Sequence, residues 1–284
     1  MSTIISSVDF SESSLNAARY AAALAASIEA NLILVNVVQF PAAVAEAAVS
    51  EQTYEEMVSL AQHDLENVAG ELANRVNHSI SIAADVLEGT VDYQIEVIAE
   101  KYKPFSIVMG IRSGRNFERF LAGSHALFAL RHSHYPILII PEGCLFNGFK
   151  NIGLATDLNH VKEEPVESVR RHMSAFNATL HVVHVSKNIN KAISEEASEP
   201  ISLANQLSGF KPKFYYVKNE NISEGLREFC QLHNLDLLII IPKEHGLLDL
   251  FSEKHSSRIA THMKIPVLAI PPQLLHQTSD YTIM

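Results

Sequence analysis

Ser106-Ile-Val-Met-Gly110-Ile-Arg-Ser-Gly114-Arg-Asn-Phe-Glu-Arg-Phe-Leu-Ala-Gly123-Ser124-His125 is the stretch that decides how the chain reads. It opens as a short apolar run, the pattern of a buried strand. It then breaks into a loop of Gly, Arg and Ser and closes with Gly-Ser at the start of a helical segment. A second buried run, Pro136-Ile-Leu-Ile-Ile140, follows. A strand, a small-residue loop and a helix start form an anion site, because free backbone N–H groups and the helix dipole both point at the loop. A nucleotide phosphate suits such a site. The same connection also joins strand to helix in domains that bind nothing there, so spacing leaves both readings open.

Upstream, Thr3 to Val8 is a short β-branched run ending at Asp9, and an Ala-rich helical stretch follows with Ser11 or Ser13 as its N-cap. Asn31 to Val38 reads as a second strand. Ala43 to Val76 carries apolar residues at helical spacing, Ser79 to Leu87 reads as a third strand, and Gly89-Thr90 opens a helix to about Tyr102. Five short apolar strands alternating with helices predict a parallel sheet covered on both faces. Ligands of such sheets sit beyond the C-terminal strand ends, where the strand order switches. Asp9 and Gly110 both fall at such ends. Asp9 suits a ribose hydroxyl, an adenine amine or a metal ion on the phosphates; equally, it suits a cap for the helix that follows.

Downstream the pattern repeats. Lys150 to Asp157 is again a short strand ending at Asp, and strands and helices alternate to Pro266-Val-Leu-Ala-Ile270. Pro136 to Pro141 matches Pro266 to Pro271 without a gap, and His125 and His132 fall on His255 and His262. Such self-similarity marks a duplicated domain, with expected bounds of 1–143 and 148–271 and a tail at 272–284. At the same offset of 130, Gly110 falls on Ile240, Ser113 on Lys243, Gly123 on Glu253 and Ser124 on Lys254. A carboxylate at Glu253 opposes an anion, so the second copy is expected to keep the fold without this site.

The formal net charge of −10 argues against a general polyanion binder, whose affinity comes from clustered Lys and Arg. Two distant cysteines, Cys144 and Cys230, carry no disulfide framework and suit a reducing compartment. There is no signal-peptide pattern and no apolar run of membrane length, so a cytoplasmic protein without membrane contact is expected. The 14 histidines include His132-x-His134, but no four-ligand metal set is completed around them. Neither a Gly-x-Ser-x-Gly elbow nor a phosphate-loop lysine motif occurs, and no catalytic residue is assigned.

Val8-Asp9-Phe10-Ser11, Val108-Met109-Gly110 and Arg119-Phe-Leu-Ala-Gly123-Ser124, with Arg131-His132 and Pro136-Ile-Leu-Ile, resemble the universal stress protein family in its tandem two-domain form. The resemblance implies two open parallel five-stranded sheets with helices on both faces, Rossmann-like and of the adenine-nucleotide alpha-hydrolase-like kind. It implies adjacent first and fourth strands, and pairing of domains or of chains through the last strands. Some family members bind ATP through Gly, two residues, Gly, nine residues, Gly and then Ser or Thr. Gly110, Gly123 and Ser124 match that pattern, whereas Ser113 stands at the second glycine and Gly114 follows one place late. By resemblance Asp9 and the backbone near Val37 and Val38 meet the nucleoside, and Gly110, Ser113, Gly123 and Ser124 fall on the phosphate pattern, with Mg²⁺ accompanying ATP. By the chemistry of the loop, backbone N–H groups around Gly114, Gly123 and Ser124 hold the phosphates and Arg112 or Arg115 adds charge. The expectation is a non-enzymatic stress-response protein with at most one adenine-nucleotide site, in the first domain. The alternatives are a dimeric scaffold that binds no nucleotide and a slow ATP hydrolase.

Overall fold

The computed structural model describes residues 2–39, 51–112, 125–156, 158, 165–187, 198–241, 265–272 and 274. Contacts divide the chain into two compact units: residues 1–112 with 137–146, and 113–136 with 147–284.

The first unit is a five-stranded parallel sheet. Its strands are β1 (Thr3–Ser7), β2 (Asn31–Val38), β3 (Ile82–Glu88), β4 (Ser106–Ile111) and β5 (Ile137–Pro141), in the order β3-β2-β1-β4-β5. The helices α1 (Glu12–Ser27), α2 (Glu51–Arg75) and α3 (Val91–Tyr102) connect them. Strands one and four pair as expected, with Ile4 opposite Ser106 and Ser6 opposite Val108. Ile4, Ile5, Leu34, Ile107 and Ile140 are fully buried, as strands covered on both faces require. The third strand starts at Ile82, three residues later than expected, because Asn77 and His78 both take left-handed backbone after α2 and lengthen the turn.

α1 lies on the sheet through a face of small residues, Ala17, Ala18, Ala21, Ala22 and Ala25. That face allows close approach to β1 and β4. Gly110 shows how close: a Cβ there would be 2.5 Å from the carbonyl carbon of Ser13 and 2.9 Å from the Ser14 nitrogen. The glycine that sequence reading gave to a ligand is thus required by the first turn of α1. Asn16, buried on the same helix, donates to the carbonyls of Pro141 at 3.4 Å and Cys144 at 3.2 Å, tying the segment after β5 to α1.

On the α1 side of the sheet the hydroxyls of Ser6 and Ser106 are buried with no hydrogen-bond partner among the described residues. A buried hydroxyl without a partner pays its desolvation with no return. Ser6→Ala and Ser106→Ala are each expected to leave stability unchanged or raise it by up to about 1 kcal/mol. A loss above that value in urea unfolding would show that the hydroxyls do bond.

The second unit repeats the arrangement: β6 (Asn151–Ala155), β7 (Thr179–Ser186), β8 (Lys213–Lys218), β9 (Leu237–Ile240) and β10 (Val267–Ala269), ordered β10-β9-β6-β7-β8 and parallel throughout. It also holds α4 (His125–His132), α5 (Val166–Phe176), α6 (Ser198–Gln206), a 3₁₀ turn at Ser208–Phe210 and α7 (Ile222–Leu232). The Asp236 carboxylate accepts from the backbone of Lys150 at 2.7 Å and of Asn151 at 2.9 Å, fixing the starts of β6 and β9 together.

Strand register corrects the internal alignment. Ile4 opposite Ser106 corresponds to Ile152 opposite Leu237. Ile107 opposite Ile137 likewise corresponds to Leu238 opposite Val267. β9 therefore lies one residue further along than an ungapped offset of 130 puts it, and Gly110 corresponds to Ile241 rather than Ile240. The counterparts expected for Ser113, Gly123 and Ser124 lie outside the described residues.

Candidate functional site

The sheet of the first unit switches direction between β1 and β4, and the residues that follow their C-terminal ends define a crevice. After Val8 the chain leaves the sheet through Phe10, whose φ of 61° is left-handed, an uncommon state for a bulky residue. Three serine and aspartate contacts hold that turn. The Ser11 amide donates to Asp9 Oδ1 at 3.0 Å, and the Asp9 amide donates to Ser14 Oγ at 3.2 Å. Ser11 is the N-cap of α1, its hydroxyl accepting from the Ser14 amide at 3.3 Å. Asp9 thus fastens the entry to the helix, and its side chain is also exposed at the crevice. Burial of part of the carboxylate raises its pKa, but hydrogen bonds from the Ser11 and Ser14 hydroxyls and from the Ser11 and Asp9 amides outweigh this and lower it below the usual value.

β2 supplies the second wall. Its even residues bond β3: the Leu32 amide donates to Ser81 O at 2.9 Å, and Val38 O accepts from Gly89 N at 3.1 Å. Its odd residues bond β1: the Asn31 amide donates to Ser2 O at 2.9 Å, and Val35 O accepts from Val8 N at 2.8 Å. By this alternation the main chain of Val37 points toward β1, where β1 has already turned away. The carbonyl that would continue the ladder, Val8 O, is taken instead by the Asn36 side chain, Nδ2 donating at 2.7 Å. The N–H and C=O of Val37 therefore face the crevice. Val38 differs: its carbonyl takes both Gly89 and, at 3.4 Å, the Tyr54 hydroxyl. Of the two valines named from sequence, Val37 is the one whose backbone is not taken up by β3.

Asp9, Val37 and Gly110 thus fall at the same end of three neighbouring parallel strands, with Gly110 covered by α1. Ser113, Gly114, Arg115, Gly123 and Ser124, the phosphate side of the expected site, lie outside the described residues. Sequence reading missed Phe10, Ser14 and Asn36. The repeat held the signal for two of them. Val8-Asp9-Phe10 recurs as Thr156-Asp157-Leu158, and Asn36 falls on His184. Leu158 has a φ of 55°, and His184 Nδ1 lies 3.1 Å from Thr156 O, the bond that Asn36 makes to Val8 O.

The second unit keeps that turn but buries the residues at the corresponding positions. Leu158 is 1% exposed, Val185, at the place of Val37, 8%, and Ile241, at the place of Gly110, 2%. Phe10 and Val37 are only half-buried. A separate groove of about 640 Å³ between α2 and β3 is lined by Tyr54, Gln62, Glu66, Val86 and Glu88, among others. Its carboxylates make it a poor seat for a phosphate, and it contains none of the crevice residues.

A parallel sheet ordered 3-2-1-4-5, left at the switch point by a left-handed turn at Phe10, defines an α/β domain of the doubly wound class. The sequence pattern of the universal stress protein family matches residues 1–141, and through them the chain belongs to that family. Universal stress protein MJ0531 of Methanocaldococcus jannaschii is 28% identical over 140 residues, 49% of this chain and 81% of that protein. The crystal structure of a universal stress protein from Archaeoglobus fulgidus matches 95% of this chain and 96% of its own, with a TM-score of 0.69 at 16% identity. A functionally unknown Pseudomonas aeruginosa protein, PA1789, matches 97% of this chain and 94% of its own, with a TM-score of 0.60 at 12% identity. Both structural likenesses run through the residues of the two units. Among the described residues no helix is long and apolar enough to cross a membrane.

Proposed function

We propose that the chain is a non-enzymatic stress-response protein that binds one adenine nucleotide, ATP with Mg²⁺, in its first unit, with occupancy governing what the surface contacts. The observation that carries this reading is the asymmetry of the two crevices: Phe10 and Val37 are only half-buried, while their counterparts Leu158 and Val185 are buried. An adjacent N–H and C=O pair matches the donor–acceptor edge of adenine, and Asp9 stands ready for a ribose hydroxyl. The loop from Ser113 to Ser124, with Gly123 and Ser124 at a helix start and Arg115 beside it, would take the phosphates. Asp9 is a weak candidate for a general base. Its carboxylate already accepts the Ser11 amide and is held below its usual pKa, so it has little drive to take a proton at neutral pH. The second unit then acts as structural partner, the last strands mediating either pairing of the two domains or a homodimer.

Calorimetric titration with ATP and Mg²⁺ tests this. The expected result is about one site per chain, abolished in Gly123→Glu, which gives the loop the carboxylate found in the second half at Glu253. Absence of heat and of thermal shift in the native chain would overturn it. The reading then favoured is a scaffold that binds no nucleotide, for which Ser113 at the second glycine of the family pattern already speaks. Under that reading Ser113→Gly creates ATP binding where the native chain has none.

A further inference from the structure

In the second unit, one face of β7 and β8 carries an aromatic group packed under α7. His181, 5% exposed, stacks on Tyr215 with ring centroids 5.6 Å apart and planes 22° apart. His233, the C-cap of α7, lies 5.5 Å from His181 and 4.5 Å from Tyr215, and Phe229 on α7 packs 4.3 Å from His233. His181 Nε2 meets Asn151 Oδ1 at 3.2 Å, which places the ring proton on Nε2 and leaves Nδ1 a bare acceptor. That Nδ1 is buried with no hydrogen-bond partner among the described residues. The groups that face the ring are two further basic ones, His233 from α7 and Lys213 opposite on β8, with Tyr215 beside it. The nearby carboxylate, Asp236, is occupied by the amides of Lys150 and Asn151.

We propose that this group is an acid-sensitive latch: protonation of His181 at Nδ1 releases the C-terminal end of α7 from β7 and β8. A second ring proton has no acceptor in the closed arrangement and adds a cation beside His233 and Lys213, whereas in the opened one water solvates it. Burial, then the charges of His233 and Lys213, hold the folded ring below the ordinary histidine pKa of 6.5. Protons are therefore taken up preferentially by the open form. The latch is fully closed above pH 6.5 and weakens as the pH falls from there toward the lower folded value. The released surface is the apolar underside of α7, with Leu226 and Phe229. The latch gives the second unit a role that does not require a nucleotide.

Hydrogen-exchange protection factors of the α7 amides in the full chain, taken at pH 7.5 and pH 5.5, test it. Protection is expected to fall up to about tenfold at the lower pH, the ratio set by an open-state pKa near 6.5. The fall is expected to vanish in His181→Leu. An equal fall in that variant, or none in the native chain, overturns the latch. Should His181→Leu not fold, the imidazole NMR resonances of the native chain decide. Proton uptake by His181 in step with α7 exchange supports the proposal, and uptake with α7 protection unchanged refutes it.

Discussion

Gly110→Ala is expected to destabilise the first unit by about 3 kcal/mol or more, whether or not a nucleotide is present. The added methyl would meet backbone, the carbonyl group of Ser13 and the nitrogen of Ser14, and not the movable end of a side chain. Relief requires shifting the first turn of α1, and that turn is fixed by the Ser11 cap and by the hydrogen bonds between Asp9, Ser11 and Ser14. The control is Gly70→Ala in α2, where nothing lies within 4 Å of the new methyl. There alanine replaces the poorest ordinary helix former and is expected to stabilise by about 0.5–1 kcal/mol. Exchange protection of β1 and β4 amides during a urea titration reads the first unit apart from the second. A loss below about 1 kcal/mol in Gly110→Ala would mean that α1 does not approach β4 this closely. The same experiment bears on function: if ATP binding disappears in this variant, the displaced turn at Asp9 is sufficient cause, and direct contact between Gly110 and the ligand does not follow.

Gly110 also marks where sequence reading stopped. A glycine closing an apolar run before a Gly-Arg-Ser loop reads as room for a phosphate, because the loop is its visible neighbour. Its actual neighbour, Ser13, is remote in sequence and met only through the β1–β4 pairing. The strands themselves were legible, since runs such as Ile4-Ile5 and Ile107-Val108 are apolar, short and bounded by polar residues. Their register was less so. Val108-Met109 and Leu238-Ile239-Ile240-Ile241 are chemically interchangeable aliphatics, so no side chain betrays a slip of one residue, and only the pairing with β5 and β10 exposes it. Asn36 was hidden for the opposite reason. In Leu34-Val-Asn-Val-Val38 it reads as a polar interruption of a strand, and its role lies in a bond to a carbonyl of another strand. Asp9 was legible as a crevice residue and as a cap residue at once; the geometry gives the N-cap to Ser11 and has Asp9 hold the amide of that residue.

Asn36→Asp is the sharper probe of the crevice. The change is nearly isosteric, but it replaces the Nδ2 donor by an oxygen facing Val8 O, 2.7 Å from it in the native arrangement, at a site 8% exposed. Two acceptors then oppose each other and a charge is buried, a loss expected to be about 3 kcal/mol at pH 7. Asn36→Leu, which removes the bond without adding charge, is expected to lose about 1–2 kcal/mol, because the Val37 amide can swing to Val8 O and continue the ladder. That swing withdraws the Val37 N–H from the crevice, so ATP affinity in Asn36→Leu is expected to fall at least about tenfold, near 1.4 kcal/mol. The pH dependence separates the two causes. An aspartate at position 36 has a folded pKa raised by burial and by the facing carbonyl; its penalty is complete above that raised value and is relieved as the pH falls through it, when the carboxylic acid can donate to Val8 O. Stability of Asn36→Asp relative to the native chain should therefore rise between pH 7 and pH 4, with no comparable rise in Asn36→Leu. Equal losses in the two variants at every pH would mean that Asn36 acts by volume alone and that the outward turn of Val37 has another cause. In the second unit His184→Asn, which keeps a donor for Thr156 O, is expected to stay more stable than His184→Leu, which lacks one although it fills the space better. That order would show a single hydrogen bond holding both left-handed turns, at Phe10 and at Leu158. What distinguishes the units is then the burial at Leu158, Val185 and Ile241, and not the turn in the backbone.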